Sequence, residues 1–203
     1  TRYAQPWVVL PREVVVLAGA GWSIAVLGAA GLLLRRRGGR SSPLLPLLIS
    51  GLALLLYPYS ASEYLVLLLS GIPMAGWWLA GRLKDRGLGT PAIAGLLAAP
   101  LVAVALATAA HAVLPGRPAL IVTVILAVLC GGLIRTAWGH DERSPAEREL
   151  VSAALGLYVL IAAPALGNAS AWWGSDLFGA WILVGETQFV VVVAFVAVIA
   201  SLY

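Results

Sequence analysis

Apolar runs long enough to approach or cross about 30 Å of hydrocarbon recur along the whole chain, separated by short breaks that hold most of the charge. The runs predict seven helices, at about 14–34, 44–59, 64–80, 91–114, 119–137, 150–166 and 177–203. No stretch between them is large enough for a soluble domain, so residues 1–203 read as one transmembrane helical domain. The second run is short and flanked by Pro43, Pro46 and Pro58, which leaves a re-entrant segment as the alternative to a full crossing. The last is longer than a bilayer needs and implies a tilted or partly interfacial helix.

The breaks alternate in charge. Arg35, Arg36, Arg37 and Arg40 follow the first run, Arg82, Lys84 and Arg86 the third, and Arg135, Arg143 and Arg148 the fifth. Seven crossings put these on one face and leave Arg2, Arg12 and Arg117 on the other. The positive-inside rule then orients the chain with its N-terminus outside and its C-terminus in the cytoplasm, as a multi-pass protein of the cell membrane. Trp7, Tyr57, Tyr59, Tyr64, Trp172, Trp173 and Trp181 fall at the outer boundaries, and Trp138 and Tyr203 at the inner one, where amphipathic rings favour the headgroup zone. Asn168 opens a glycosylation sequon in an outer loop. Residues 1–11 are mixed rather than a basic patch leading into an apolar core, so no cleavable signal peptide is expected.

Ser42-Pro43, Thr90-Pro91 and Ser144-Pro145 each place a hydroxyl at an expected N-cap with proline at the first helical position, and Glu147 is spaced to complete a capping box with Ser144. Small residues offer close-packing surfaces: Gly19, Gly21, Ala25, Gly28 and Ala29 in the first helix, Gly76 and Ala80 in the third, Gly131 and Gly132 in the fifth. The run from Ala92 to Ala110 is nearly featureless and suits a central position as well as a lipid-facing one. Pro73, Pro100 and Pro164 lie in or near spans and are candidate kinks.

Composition fits this reading. The 203 residues are 61% hydrophobic and 11% charged, against roughly a quarter charged in soluble domains. The net charge of +4 resides in the short breaks, so it signals topology rather than a nucleic-acid partner. Cys130 is the only cysteine and lies in an apolar run, which rules out an internal disulfide, a CxxC pair or a thiolate metal cluster and makes it a core residue.

Ionisable groups inside apolar spans are the default functional candidates. Glu186 is the clearest; five residues beyond Trp181, it is expected about 7 to 8 Å below the outer aromatic belt. With Thr187 and Gln188 it forms the most polar patch in any predicted span. The functional reading is a proton- or cation-linked carboxylate or ligand anchor; the plainer one is an interfacial carboxylate paired with Arg12 or Arg117. Glu13, Glu63, His111 and Asp176 are also expected near the outer boundary, but come from separate segments without metal-ligand spacing, so neither a metal nor a cofactor is expected. His140-Asp141-Glu142 reads as a hydrated loop tip. Arg35, Arg36, Arg37 and Arg40 are candidate contacts for anionic lipid headgroups.

Nucleophile elbows, phosphate-binding glycine loops and paired haem histidines are absent from the sequence. Seven helices with an outside N-terminus resemble the general plan of microbial rhodopsins, whose retinal needs a lysine in the last helix. The single lysine, Lys84, falls in an inner loop, which excludes a retinal pigment. Three functions remain: a non-catalytic membrane subunit or scaffold, whose partners are lipids and other membrane chains; a small-solute or proton-linked transporter using Glu186; and a lipid-modifying enzyme with Glu63, His111, Asp176 and Glu186 on its outer face. The first ranks highest, because the loops are short and the inner halves of the spans carry almost no polar path.

Overall fold

A computed structural model of the chain describes residues 12–36, 42–56, 68, 71–114, 117–139, 145–167 and 186–203. At Arg12, Val15, Arg36, His111, Ala112, Arg117, and residues 164–167 and 186–189, only the backbone is described. The described residues form seven α-helices: α1 (Arg12–Arg36), α2 (Leu45–Leu56), α3 (Ile72–Asp85), α4 (Thr90–Val113), α5 (Arg117–Trp138), α6 (Pro145–Gly167) and α7 (Glu186–Leu202). Three of them are long and apolar enough to cross a membrane, over Val16–Arg35, Thr90–Ala110 and Pro118–Trp138. The helical architecture with these three segments fits a membrane protein. Leu45–Leu56 and Val190–Leu202 are shorter apolar helices.

The helix ends explain themselves locally. Ser42 forms a turn just ahead of α2 rather than sitting next to its first residue: its carbonyl accepts from the Leu45 amide at 2.9 Å and its hydroxyl from the Leu44 amide at 3.3 Å, with Pro43 in the turn. Thr90 does not cap α4. Gly89 holds the extended N-cap conformation, Thr90 is already helical, and Pro91 follows in the first turn. Pro73 sits in the first turn of α3, where its missing N–H is harmless, so it starts a helix rather than kinking one. Pro100 lies inside α4 and is buried, and the helix runs on through it. Gly87 closes α3 with φ at +82°, while the Gly87 and Leu88 amides donate to Lys84 and Leu83 carbonyls. Gly139 does the same for α5 with φ at +75°. Both adopt the left-handed conformation that glycine tolerates best.

The third described helix ends at Asp85, beyond the end of the apolar run at about residue 80. Its described part begins at Ile72 and carries Arg82 and Lys84 within its last turns. A Cβ on Gly71, just before it, would fall 2.5 Å from Leu47 Cα in the first turn of α2. Leu79 and Leu83 pack into a cluster with Trp138, the last residue of α5, Val151 and Leu155 of α6, Leu202 of α7, and Leu88, Ile93, Leu96 and Leu97 around the start of α4. The described α3 therefore seals one end of the bundle, where α3, α5 and α7 finish and α4 and α6 begin. That end also carries Arg82, Lys84, Arg86, Arg135 and Arg148, and is called the basic end below.

The tightest seam joins α5 and α6. A Cβ on Gly131 would lie 2.9 Å from the Ser152 carbonyl oxygen, and one on Gly156 would lie 3.2 Å from that of Ala127. Moving four residues forward on α5 moves four back on α6, so the pair is antiparallel with backbone against backbone. In lipid, where apolar burial between helices gives little drive, such small-residue approaches supply the packing. On α5 the buried stripe runs Ala119, Thr123, Ala127, Cys130, Gly131, Ile134 and Trp138, a helical repeat of three and four. α6 occupies the centre, touching α4, α5 and α7, while α7 links it to α2. At that link, a Cβ on Gly51 would strike Val196 Cγ2 at 2.5 Å.

The other expected packing surfaces stay open among the described residues. Added Cβ atoms at Gly19, Gly21, Gly28, Gly76 and Gly132 meet nothing within 4 Å. α4 is not central: much of its surface, including Leu101, Val102 and Leu106, is exposed. In α1 only Val26 is buried among the described side chains. Its main neighbour is α2, to which the Trp22 indole donates a hydrogen bond at the Leu55 carbonyl, 2.6 Å away.

Candidate functional site

The best-defined polar arrangement lies at the basic end. Arg82 and Arg86 are four residues apart across the C-terminal end of α3, so they share one helical face. Both reach Glu147 in the first turn of α6: Arg82 Nε lies 3.2 Å from Oε1, and an Arg86 terminal nitrogen 3.6 Å from Oε2. Ser144, the expected capping-box partner of Glu147, lies outside the described residues; the Glu147 oxygens face the two arginines.

Arg86 is more deeply set than Arg82. Its guanidinium stacks on the Trp138 ring at 4.2 Å and donates to the Trp138 carbonyl at 3.5 Å. Arg82 lies 5.6 Å from the Trp78 ring centre. Side-chain exposure separates the two, at 16% for Arg86 against 50% for Arg82.

A second group of the same form involves Glu149. Its Oε1 receives Arg135 Nε at 3.0 Å and an Arg148 terminal nitrogen at 2.9 Å. Partial desolvation pushes the Glu149 carboxyl upward, but hydrogen bonds and charge from Arg148 and Arg135 outweigh it and hold the group below its ordinary value. Arg148 also donates to the Gly139 carbonyl at 3.5 Å. Arg86 and Arg148 thus bring positive charge to the carbonyls that end α5, the negative pole of that helix.

Each carboxylate is shared by two guanidiniums, so each group keeps one unit of positive charge. In both groups the deeper arginine, Arg86 or Arg148, ties the helices together, while Arg82 or Arg135 is half exposed. The arrangement is suited to hold an anion and to fix α3, α5 and α6; it contains no nucleophile beside a base. The sequence reading missed both groups because it treated these arginines as topology markers and Glu147 as a cap. The available signal was the spacing of Arg82 and Arg86, with two acids opposite them at the start of α6.

The other candidates are spread over the opposite helix ends. Arg12 and Glu13 open α1, His111 lies in the last turn of α4, Arg117 opens α5, and Glu186, Thr187 and Gln188 open α7. Glu13 is exposed. Glu186 begins the described part of α7. The expected helical residues between Leu177 and Glu186 lie outside the described residues, as do Glu63 and Asp176. Arg35 is exposed in the last turn of α1 and Arg36 ends it; Arg37, Arg40, Asn168 and 140–142 are outside the described residues. No described His, Cys, Asp or Glu side chains gather in a group of three or more fit for a metal.

Hydroxyls in the helices turn back on their own backbones. Ser23, Thr108, Thr123 and Ser201 each donate to the carbonyl four residues earlier. Buried polar atoms without a hydrogen-bond partner among the described residues are Trp138 Nε1, Ser152 Oγ and Tyr203 OH. Compared with known proteins, the chain matches no family model, no curated protein and no solved structure.

Proposed function

We propose that the chain is a non-catalytic, multi-pass subunit of the cell membrane that packs against other membrane chains, with its N-terminus outside and its basic end in the cytoplasm. The observation that carries this reading is α1. It is apolar and long enough to cross a membrane, yet 6% of its most apolar window is buried.

A Cβ added at Gly19, Gly21, Gly28 or Gly31 would meet nothing within 4 Å among the described residues. Each glycine weakens a helix by about 0.5–1 kcal/mol relative to alanine, and none of these is offset by close packing among the described residues. A second helix laid against α1 supplies that packing, as α6 does at Gly131. The orientation is supported by the gathering of five basic residues at the basic end.

The test places a photo-crosslinking residue at Gly28, which has room for it, and at Val128 on the exposed side of α5 as a comparison. Crosslinks from position 28 to a stoichiometric second membrane chain, retained in mild detergent, are expected. A protein that runs alone, gives only lipid adducts at Gly28, and loses a proton-linked solute flux on Glu186→Gln in reconstituted vesicles would replace the subunit reading with the transporter.

A further inference from the structure

We propose that Arg82 and Arg135 form two separate subsites for the phosphate of anionic phospholipids, one on each flank of the start of α6. The inference rests on the membrane reading above and adds a ligand class and a stoichiometry to it.

Glu147 and Glu149 are two residues apart on α6, and at 100° per residue their side chains leave the helix about 200° apart. One turns to α3 and the other to α5, so the two Arg–Glu–Arg groups face different sides. In each, the closest contact of the exposed arginine with its carboxylate uses Nε, at 3.2 Å for Arg82 and 3.0 Å for Arg135. A guanidinium has five N–H donors, and with side chains 50% and 57% exposed part of each fork remains on the open side. The carboxylate orients the fork, while the second arginine cancels the carboxylate's charge and leaves the exposed one free to attract an anion. A phosphodiester matches that planar fork and its charge.

The apolar surroundings select a lipid over a free anion. The exposed residues of α3 include Met74, 42% exposed, and Trp77, 76% exposed, just ahead of Arg82 and Lys84. An indole exposed to this degree beside basic groups suits the boundary between acyl chains and headgroups. Arg135 lies one turn from the end of a membrane-length helix, at the same kind of boundary.

The experiment reconstitutes the chain into nanodiscs of equal phosphatidylglycerol and phosphatidylcholine, releases it gently, and counts retained lipids by native mass spectrometry. The wild type is expected to retain two phosphatidylglycerol molecules in preference to phosphatidylcholine. Arg82→Gln should lose one, Arg135→Gln the other, and the double variant both, each affinity falling about fivefold.

Equal retention of the two lipids, or a double variant that still holds two phosphatidylglycerols, overturns the proposal. A salt titration of the wild type needs no variant to fold: the preference should fade as the screening length falls from about 10 Å at 0.1 M to about 3 Å at 1 M, and a preference indifferent to salt also overturns it. Failure to enter nanodiscs of any composition would instead overturn the membrane reading.

Discussion

Replacing Gly131 by alanine probes the α5–α6 seam, and Gly132 beside it supplies the comparison. The new methyl at 131 would stand 2.9 Å from the Ser152 carbonyl oxygen, where ordinary contact begins at 3.4 Å. That oxygen belongs to the interior of α6 and cannot turn aside without breaking its helix. The helices must therefore separate by about 0.5 Å, and a gap of that size forfeits roughly a quarter of the dispersion attraction between the separated atoms.

Overpacking of this kind costs about 1–3 kcal/mol, while alanine regains about 0.5–1 kcal/mol of helix propensity. The net expectation for Gly131→Ala is a loss of about 1–2 kcal/mol. At Gly132 the methyl meets nothing within 4 Å, so that substitution should be neutral or stabilising by up to about 1 kcal/mol. The two neighbours should differ by about 2 kcal/mol, near thirtyfold in the folding equilibrium. Unfolding in mixed micelles by increasing denaturing detergent, followed by tryptophan fluorescence, measures the difference. If Gly131→Ala is as stable as Gly132→Ala, the close approach of α5 and α6 is wrong.

Glu147→Gln should destabilise the fold by about 1–3 kcal/mol, less than the 3–5 kcal/mol of fully buried pairs, since it leaves Arg86 16% exposed beside a neutral partner; the same detergent titration reads it. Glu149 carries a sign that pH reveals. Its folded carboxyl is held below the ordinary value, so its contribution is complete above the ordinary carboxylate range and is lost as pH falls through the lowered folded value. The melting difference between wild type and Glu149→Gln should therefore be present near neutrality and vanish in strong acid. Gly71→Ala would put a Cβ 2.5 Å from the Leu47 Cα; thermal unfolding should show a loss of about 1–3 kcal/mol, and an unchanged midpoint would contradict the contact of α2 with the start of α3.

The all-helical character and the overlap of the described helices with the apolar runs were legible because apolar length and basic breaks are local properties. The turn that Ser42 and Pro43 make ahead of α2 was legible for the same reason. Partnership was not. Gly131 and Gly132 look equivalent in the sequence, but α6 lies against one and the other faces outward; only the rotation of α5 about its axis distinguishes them. Thr90 was misplaced by one residue because Gly89 adopts the extended cap conformation and the proline follows equally well from either start. Glu147 satisfies the capping-box spacing, yet a carboxylate at 147 also lies within reach of two arginines some sixty residues earlier, a proximity that depends on α3 seating at the end of the bundle. The outer candidates among the described residues occupy the ends of four different helices, and spacing along the chain carries no information on whether those ends converge.

The central place of α6 has a consequence in time. Ribosomes deliver this chain from α1 onward, and α6 is the sixth of seven described helices to emerge. Until it arrives, α5 lacks its closest partner and Arg82 and Arg86 lack their shared carboxylate; α2 must wait longer still, for α7. The early helices therefore have to be kept in place by the insertion machinery or by lipid, and a nascent chain halted before α6 would hold loosely associated helices open to proteolysis. The arrival of α6 and α7, rather than that of the earlier helices, decides when this bundle becomes a single body.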